Sequence, residues 1–302
     1  VRPDCYSDVV ILSAIVPVAG FGTRLLPATK SQPKEMLPVA RKPIVQYVAE
    51  ELMHNGLKQV LFVTGRGKSS IENHFDHDPE LSRMLESTNK RDLLDALNFN
   101  EADLKYFYTR QPVQKGLGDA ILCGESFAGQ EPFVVALGDS IIGMNGESNL
   151  ISRMVQLFEE EHAAAVVAVE SVPREDVRHY GIVDPADIDG DVIRVANLIE
   201  KPAVDEAPST LAIAARYVFS PLIFDLIKQT ELDHRGEVQL TNAIQRMCVE
   251  GKRVLAVKLP PTERRYDIGN FPSYYETFIE FALADPDHGP ALRERLRELL
   301  GV

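Results

Sequence analysis

An apolar run from Val10 to Ala19 has no polar alternation and reads as a strand buried on both faces. A loop punctuated by Gly and Pro follows, from Gly20 to about Pro43. Ile44 to His54 then has helical spacing, with Gly56 placed to stop it. Gln59 to Thr64 predicts a second strand, about Pro79 to Leu97 a polar-faced helix, and Leu104 to Thr109 a third strand. Asp119 to Phe127 predicts a helix and Phe133 to Leu137 a fourth strand. This β-α-β rhythm implies an α/β fold on a mostly parallel, doubly wound sheet flanked by helices.

The second half breaks the rhythm. Ala164 to Val169, Gly181 to Val183, Val192 to Ile199 and Leu211 to Phe219 all read as strands. Helices are expected over Pro221 to Gln229, Val238 to Glu250, Pro272 to Leu283 and Ala291 to Leu300. Consecutive strands without helices between them predict an antiparallel extension of the parallel core. With no internal repeat, low-complexity tract or linker, the expectation is one domain over 1–302. Its catalytic core would span about 10–285 and a C-terminal helical tail about 286–302. That tail could be an oligomer contact or a helix packed on its own subunit.

Composition excludes more than it assigns. The 302 residues are 45% hydrophobic and 25% charged, ordinary for a globular chain. Lys and Arg number 32 against 45 acids, a formal charge of -13, which disfavours broad nucleic-acid binding. A few local cations could still hold a small phosphate ligand. Cys5, Cys123 and Cys248 are scattered and odd in number, which points to a reducing compartment rather than a disulfide framework. No apolar run approaches the roughly 20 residues of a membrane span. Val9 to Val18 is short and lacks a cationic front, so it makes a poor signal peptide. A soluble cytoplasmic protein with no membrane partner is expected.

The loop after the first strand concentrates chemistry. It reads Ala19-Gly20-Phe21-Gly22-Thr23-Arg24, then Lys30, then Pro33-Lys34-Glu35-Met36-Leu37-Pro38. Glycines at a strand's carboxyl end let backbone approach a ligand, and backbone N–H groups there can cradle phosphate oxygens. Arg24, Lys30 and Lys34 can add charge. A tight turn with three solvated cations is the plainer alternative, made improbable by so much convergence in fifteen residues. A dinucleotide fingerprint is excluded, because Leu25 stands where its third glycine would be. Gly67-Lys68-Ser69 looks like the end of a P-loop, but Phe62 occupies the opening glycine's place, so the match reads as chance.

Gly-x-Gly-Thr-Arg followed by Pro-Lys-Glu-Met-Leu-Pro resembles the signature of the sugar-nucleotide pyrophosphorylases, and within them the bacterial UTP-using branch. The resemblance runs from Ile15 to about Phe281. It includes Ser70 to Phe75, Gln111 with Lys115-Gly116-Leu117-Gly118, Tyr180 to Val183, Ile199-Glu200-Lys201-Pro202, Gly236 to Thr241 and Asp267-Ile268-Gly269-Asn270. It implies a nucleotide-binding, Rossmann-like mixed sheet, a need for Mg²⁺, and a reaction between UTP and glucose 1-phosphate that releases pyrophosphate. A homo-oligomer, dimer or tetramer, would be usual. A dTTP-using relative and a catalytically silent regulatory paralogue are the alternatives.

In such a transfer the nucleophile is an ionised phosphate oxygen, so no general base is needed and positioning and electrostatics do most of the work. The histidines are accordingly set aside: His74 and His77 lack further ligands, and only His179, beside Tyr180-Gly181, is suspicious. Asp139 follows the fourth strand through Gly138, at the carboxyl end where ligands bind in such sheets. It is either a turn residue or a metal ligand, and the resemblance favours the metal. By the same analogy Asp267 is the second carboxylate, since Ser140 leaves no acid beside Asp139. The resemblance also implies that Arg24, Lys34 and Lys201 act on phosphates. It puts Ala19, Gly20, Gly22, Gln111 and Gly116 at the nucleotide, with Glu35 nearby, and Gly181, Glu200 and Ala214 at the sugar. Gln111 could instead be a surface glutamine, and Glu200-Lys201 an exposed ion pair. Asn242 stands where relatives often carry Asp and is left out of the site.

Overall fold

In the computed structural model, residues 11–97 and 104–301 are described. Val10 and Cys5 therefore lie outside the described residues. Strand β1 (Ser13–Pro17) leads into the long loop, whose far end is the short hairpin β2 (Pro38–Val39) and β3 (Lys42–Pro43). Then come α1 (Ile44–His54), β4 (Gln59–Thr64), α2 (Ser69–Phe75), α3 (Pro79–Ser87), α4 (Arg91–Leu97) and β5 (Lys105–Arg110). The middle of the chain forms α5 (Gly116–Leu122), α6 (Glu125–Ala128), β6 (Phe133–Ala136), β7 (Ser140–Ile142), α7 (Leu150–Glu160) and β8 (Ala165–Ser171). β9 (Gly181–Asp189), β10 (Val192–Glu200), β11 (Leu211–Phe219), α8 (Leu222–Lys228), α9 (Leu240–Val249) and β12 (Val254–Lys258) follow. β13 (Arg265–Asp267), α10 (Phe271–Ala284) and α11 (Gly289–Leu300) complete it.

The main sheet runs β5-β4-β1-β6-β11-β8-β12-β10-β9. Its first four strands are parallel, as is the β8–β12 pair. The β6–β11, β11–β8, β12–β10 and β10–β9 pairs are antiparallel. The expected parallel core is thus the β5-β4-β1-β6 wing, and the expected antiparallel extension is the rest of the sheet, apart from the parallel β8–β12 pair. Alternation along the strands feeds two cores. Ala14, Val16, Phe62, Val134 and Ala136 face α1 and α7, while Ile15, Leu61, Val63, Phe133 and Val135 face α5, α8 and α9. Both faces are covered, which is why β1 carries no polar alternation.

Several predicted elements divide or were missed for physical reasons. The helix expected over Pro79 to Leu97 is two, interrupted where Asn89 takes φ 53°. The Asp119 to Phe127 helix starts earlier, at Gly116, and breaks at Gly124, where a Cβ would collide with Ile15. β7 and β13 pair only with each other and have three residues apiece, too few to show an alternation. α7 and β12 lie where no element is expected, although Leu150, Ile151, Met154, Leu157 and Phe158 carry a helical stripe and Val254 to Val257 an apolar run. α11 is tied to α10 within the chain, where Arg293 donates to the Leu283 carbonyl at 2.7 Å. Among the described residues no helix is long and apolar enough to cross a membrane.

Candidate active site

The carboxyl ends of β1 and β6 create the site. β6 stops at Ala136 and hands the chain to β7 through Leu137-Gly138-Asp139. Gly138 is required there, because a Cβ would run into Val18 at the end of β1. β7 pairs with β13 so that Ser140 faces Asp267, and Ile268 N donates to the Asp139 carbonyl at 3.1 Å. Two carboxylates distant in sequence are thereby delivered side by side. The Lys34 ammonium, from the loop after β1, bonds directly to the Asp139 carboxylate. Burial opposes the Asp139 charge, but the contact with Lys34 prevails and holds that carboxyl below its usual range. Asp267 is pushed the other way, first by burial and then by the charge on Asp139. Burial also opposes the charge on Lys34, yet Asp139 and Glu35 outweigh it and keep the ammonium firmly protonated.

Two cavities meet at Asp139. The smaller, about 340 Å³, is lined by Ala19, Gly20, Lys34, Glu35, Gln111 and Gly116 among others. Its polar wall is buried and already bonded. Gln111 is 3% exposed, and its amide nitrogen donates to the Asp119 carboxylate at 2.7 Å and the Gly116 carbonyl at 3.1 Å. Both partners can only accept, so the amide orientation is fixed and only its oxygen remains for a ligand. Glu35, 2% exposed, accepts from Lys68 Nζ at 2.9 Å. Burial pushes Glu35 up, and Lys68 and Lys34 pull it partly back. Gly116 has φ +91° and lies so close to Val238 that a Cβ would come within 2.8 Å of its carbonyl.

The larger cavity, about 730 Å³, collects charge: Arg24, Arg178, Lys201, Arg235 and Arg265 against Asp139, Glu200, Glu237 and Asp267. Leu117, Leu137, Asp139 and Glu237 line both cavities. Lys201 bonds Glu200 at 2.9 Å, with 43% of its side chain exposed, and the second Glu200 oxygen accepts from Thr241 at 2.7 Å. The Glu-Lys pair is therefore both a salt bridge and part of the cavity wall. A Cβ on Gly181 would meet Thr241 Oγ1 at 2.9 Å and Glu200 at 3.3 Å, so this wall is tightly packed. Arg24 lies against Gly269, beside Asp267.

Most of the residues singled out by sequence converge, and three do not: Gly22, Ala214 and the exposed Lys30 line neither cavity. Gly22 forms the loop's left-handed turn at φ 65°, its carbonyl accepting from Thr29 Oγ1 at 2.8 Å, behind the cavity wall. Ala214 is fully buried with Val166, Ala168 and Val218, on the side of the sheet facing α1. Strand alternation explains this: Ile213, Ala215 and Tyr217 point into the large cavity and Ala214 points away. The Gln111 side chain is not at the surface. His179 does line the large cavity, at its exposed rim, whereas His74 bonds Gln46 at 3.0 Å and lines neither cavity.

Other residues of the site have no expectation above. Lys68, in the segment set aside as a chance P-loop match, is the buried partner of Glu35. Arg265 donates to Glu170 and to Asp267, at 3.3 Å in the latter case, and its guanidinium lies 5.0 Å from the Tyr180 ring centre. Two-residue alternation puts Arg265 and Asp267 on one face, a signal readable once β13 is known to be a strand. Asp233 holds the 233–239 loop by accepting from Arg235 N, Glu237 N and Gln239 Nε2 at 2.8 to 3.0 Å, and these bonds draw its carboxyl far below the usual range. That loop brings Glu237 to both cavities.

Comparison with known proteins agrees with this geometry. A UTP–glucose-1-phosphate uridylyltransferase of Staphylococcus epidermidis is 41% identical over 289 residues, covering 96% of this chain and 98% of that protein. A UTP-bound UGPase from Acinetobacter baumannii superposes with a TM-score of 0.87 at 36% identity, over 96% of this chain and all of that one. A UDP-glucose pyrophosphorylase complexed with UDP-glucose gives 0.81 at 36% identity, over 90% and 98%. The family model described as nucleotidyl transferase matches residues 13–282, from the start of β1 nearly to the end of α10 and so across both cavities. By the extent of that match and by its relatives, the chain belongs to the nucleotidyl transferase family.

Proposed function

We propose that the chain transfers a uridylyl group from UTP to glucose 1-phosphate, giving UDP-glucose and pyrophosphate. The observation that carries this reading is the meeting at Asp139 of a smaller cavity, walled by apolar groups with a few buried polar ones, and a larger, charge-rich one. The smaller takes the uridine. With both Gln111 N–H bonds engaged, its free oxygen suits the N3–H of uracil and repels the N3 lone pair of cytosine. Ala19, Gly20 and Gly116 offer backbone to the nucleotide, and Gly22 shapes the turn that carries them. The names and ligands of the relatives favour UTP over dTTP and glucose over other sugars. The full set of charged residues argues against a silent paralogue.

In the larger cavity Lys201 meets the sugar's phosphate, Glu200 accepts from its hydroxyls, and backbone at Gly181 borders the ring. A phosphate oxygen of glucose 1-phosphate forms its bond to the α-phosphorus of UTP as the bond to pyrophosphate breaks. That oxygen is ionised at neutral pH, and the protein has only to align the two anions and screen them. Lys34 and Arg24 neutralise the triphosphate, Arg24 chiefly the departing pyrophosphate. Asp139 and Asp267 fit a divalent cation, Mg²⁺ in this reading. They are adjacent oxygen donors, one already holding a cation, and Mg²⁺ takes one or two carboxylates and fills its shell with phosphate oxygens and water. Bound there, the ion would polarise phosphate oxygens. The proposal includes a homo-oligomer, supported by the exposed Tyr275, Phe278 and Ile279 of α10.

Pyrophosphate release with UTP, glucose 1-phosphate and Mg²⁺ tests the reading, run beside CTP, ATP, GTP and dTTP. Release with UTP well above the others is expected. No release with any triphosphate would sink it, and equal or better release with dTTP would make the chain a thymidylyltransferase.

A further inference from the structure

Arg216, on β11, is fully buried, and so is its partner Glu51, on α1. Neither lines a cavity, but Arg216 reaches the large cavity's wall from behind. Arg216 Nη2 donates to Glu51 at 2.6 Å and to the Ser140 carbonyl at 2.8 Å. Nη1 donates to the Ala215 carbonyl at 3.1 Å and, at a long 3.5 Å, to the Leu137 carbonyl. Nε turns to Glu51 at 3.1 and 3.3 Å. One guanidinium therefore grips the backbone on both flanks of Asp139. It also grips the β11 bulge, where Ala215 holds a left-handed φ of 62° in the cavity wall.

A buried ion pair is a poor device for stability, since apolar residues of similar volume usually serve as well or better. A rigid fork with five donors is instead well suited to fixing several carbonyls at once. Besides the β7–β13 ladder and the Lys34 contact, the Asp139 turn rests on a bond from Ile268 N, one to Ala215 and a 3.4 Å bond within itself. We propose that the Arg216–Glu51 pair is the positioning device of the reaction: it fixes the Leu137-to-Ser140 turn, and with it the carboxylate that meets the divalent cation. Glu51 keeps the guanidinium in place and occupies the donors that face α1. This rests on the reading of Asp139 as a metal ligand given above.

The test replaces the pair by apolar side chains, Arg216→Met with Glu51→Leu, and separately makes Arg216→Lys and Asp139→Asn. Each protein is titrated with Mn²⁺ in the presence of UTP, followed by the loss of the free-ion resonance signal, with melting and steady-state kinetics alongside. The apolar double variant should melt at or above the parental temperature. Its Mn²⁺ affinity should still fall about tenfold, with kcat falling and KM for glucose 1-phosphate little changed. Arg216→Lys keeps the charge opposite Glu51 but cannot span the carbonyls, so it should show the same loss. If either variant folds and binds Mn²⁺ as the parent does while Asp139→Asn does not, the positioning role is wrong and the metal reading stands. If Asp139→Asn itself binds Mn²⁺ like the parent, the metal reading fails first.

Discussion

The two cavities, proposed above as the base end and the phosphate end of the site, are walled by different kinds of side chain. In the smaller cavity Gln111, Glu35 and Lys68 are nearly sealed from solvent, and apart from the Gln111 amide oxygen their polar groups are engaged by protein partners. In the larger cavity Lys201, Arg24, Arg178 and Arg235 are exposed, on long side chains in a charge-rich basin. A neutral, planar base is selected by fixed donors and acceptors, and such groups discriminate best when burial makes an unmet one costly. Phosphates arrive with their own charge and hydration. Long solvated cations can meet them without a large desolvation cost in the empty state. Preorganisation is thus concentrated where selectivity is needed, and mobile charge where the reactants are anions. Asp139 stands on the boundary, with the buried Arg216–Glu51 pair beneath it.

Removing one charge from the sealed end should have the largest effect of all, on stability. Lys68→Met leaves Glu35 buried without its nearest cation, and a loss of about 3–5 kcal/mol is expected. The sign with pH follows from the raised folded-state pKa of Glu35. A carboxyl raised on folding favours the folded state below about 4.5, its ordinary value, and that advantage disappears as pH rises through the folded value. The deficit of Lys68→Met should therefore be larger at pH 8 than at pH 5 in denaturant unfolding. Equal deficits would mean that Glu35 does not carry the effect.

At the boundary, Asp139→Asn should cost about a hundredfold or more in turnover while melting stays near parental, because volume hardly changes and a metal-facing charge is lost. Near-parental turnover at saturating Mg²⁺ would remove Asp139 from the metal. At the open end, Lys201→Ala should lower kcat/KM for glucose 1-phosphate about ten- to a hundredfold, the worth of one charge-assisted bond, and leave the UTP constants nearly unchanged. Varying each substrate in turn checks this, and the Glu200 salt bridge alone, being exposed, would predict no kinetic change. The smallest effect is expected back at the base end. Asp119→Leu frees the Gln111 amide to turn, and the preference for UTP over CTP should shrink about tenfold with little change in stability. An unaltered preference would show that Asp119 does not set the amide's orientation.

Signals that are local survived in the sequence. The period-3.6 stripe of α1, the two-sided strands β1, β4 and β6, and the Gly-rich loop with Arg24 and Lys34 all depend on neighbours along the chain, so pattern alone locates them. Asp139 was legible because it follows a strand's carboxyl end, where ligands bind in such sheets, and because the family resemblance favoured a ligand over a turn residue there. Glu51 left a trace as well: it stands on the same helical face as Ile44, Tyr47 and Val48, where a lone acid implies a buried partner. The partner itself, Arg216, lies 165 positions away.

Sequence by itself therefore determined an α/β chain, the Gly-rich loop after β1 and a minority of the residues that line two cavities, most of the ones it singled out. Only the tertiary structure decided the order of strands in the sheet and that β7 and β13 pair to set Asp267 beside Asp139. It also decided that Ala214 faces the core while Ile213 and Ala215 face the site, and that Lys68 neutralises Glu35. Each of these depends on contacts between segments far apart in the chain. Such pairings are chosen by the packing of the whole core, and local propensity carries no record of them.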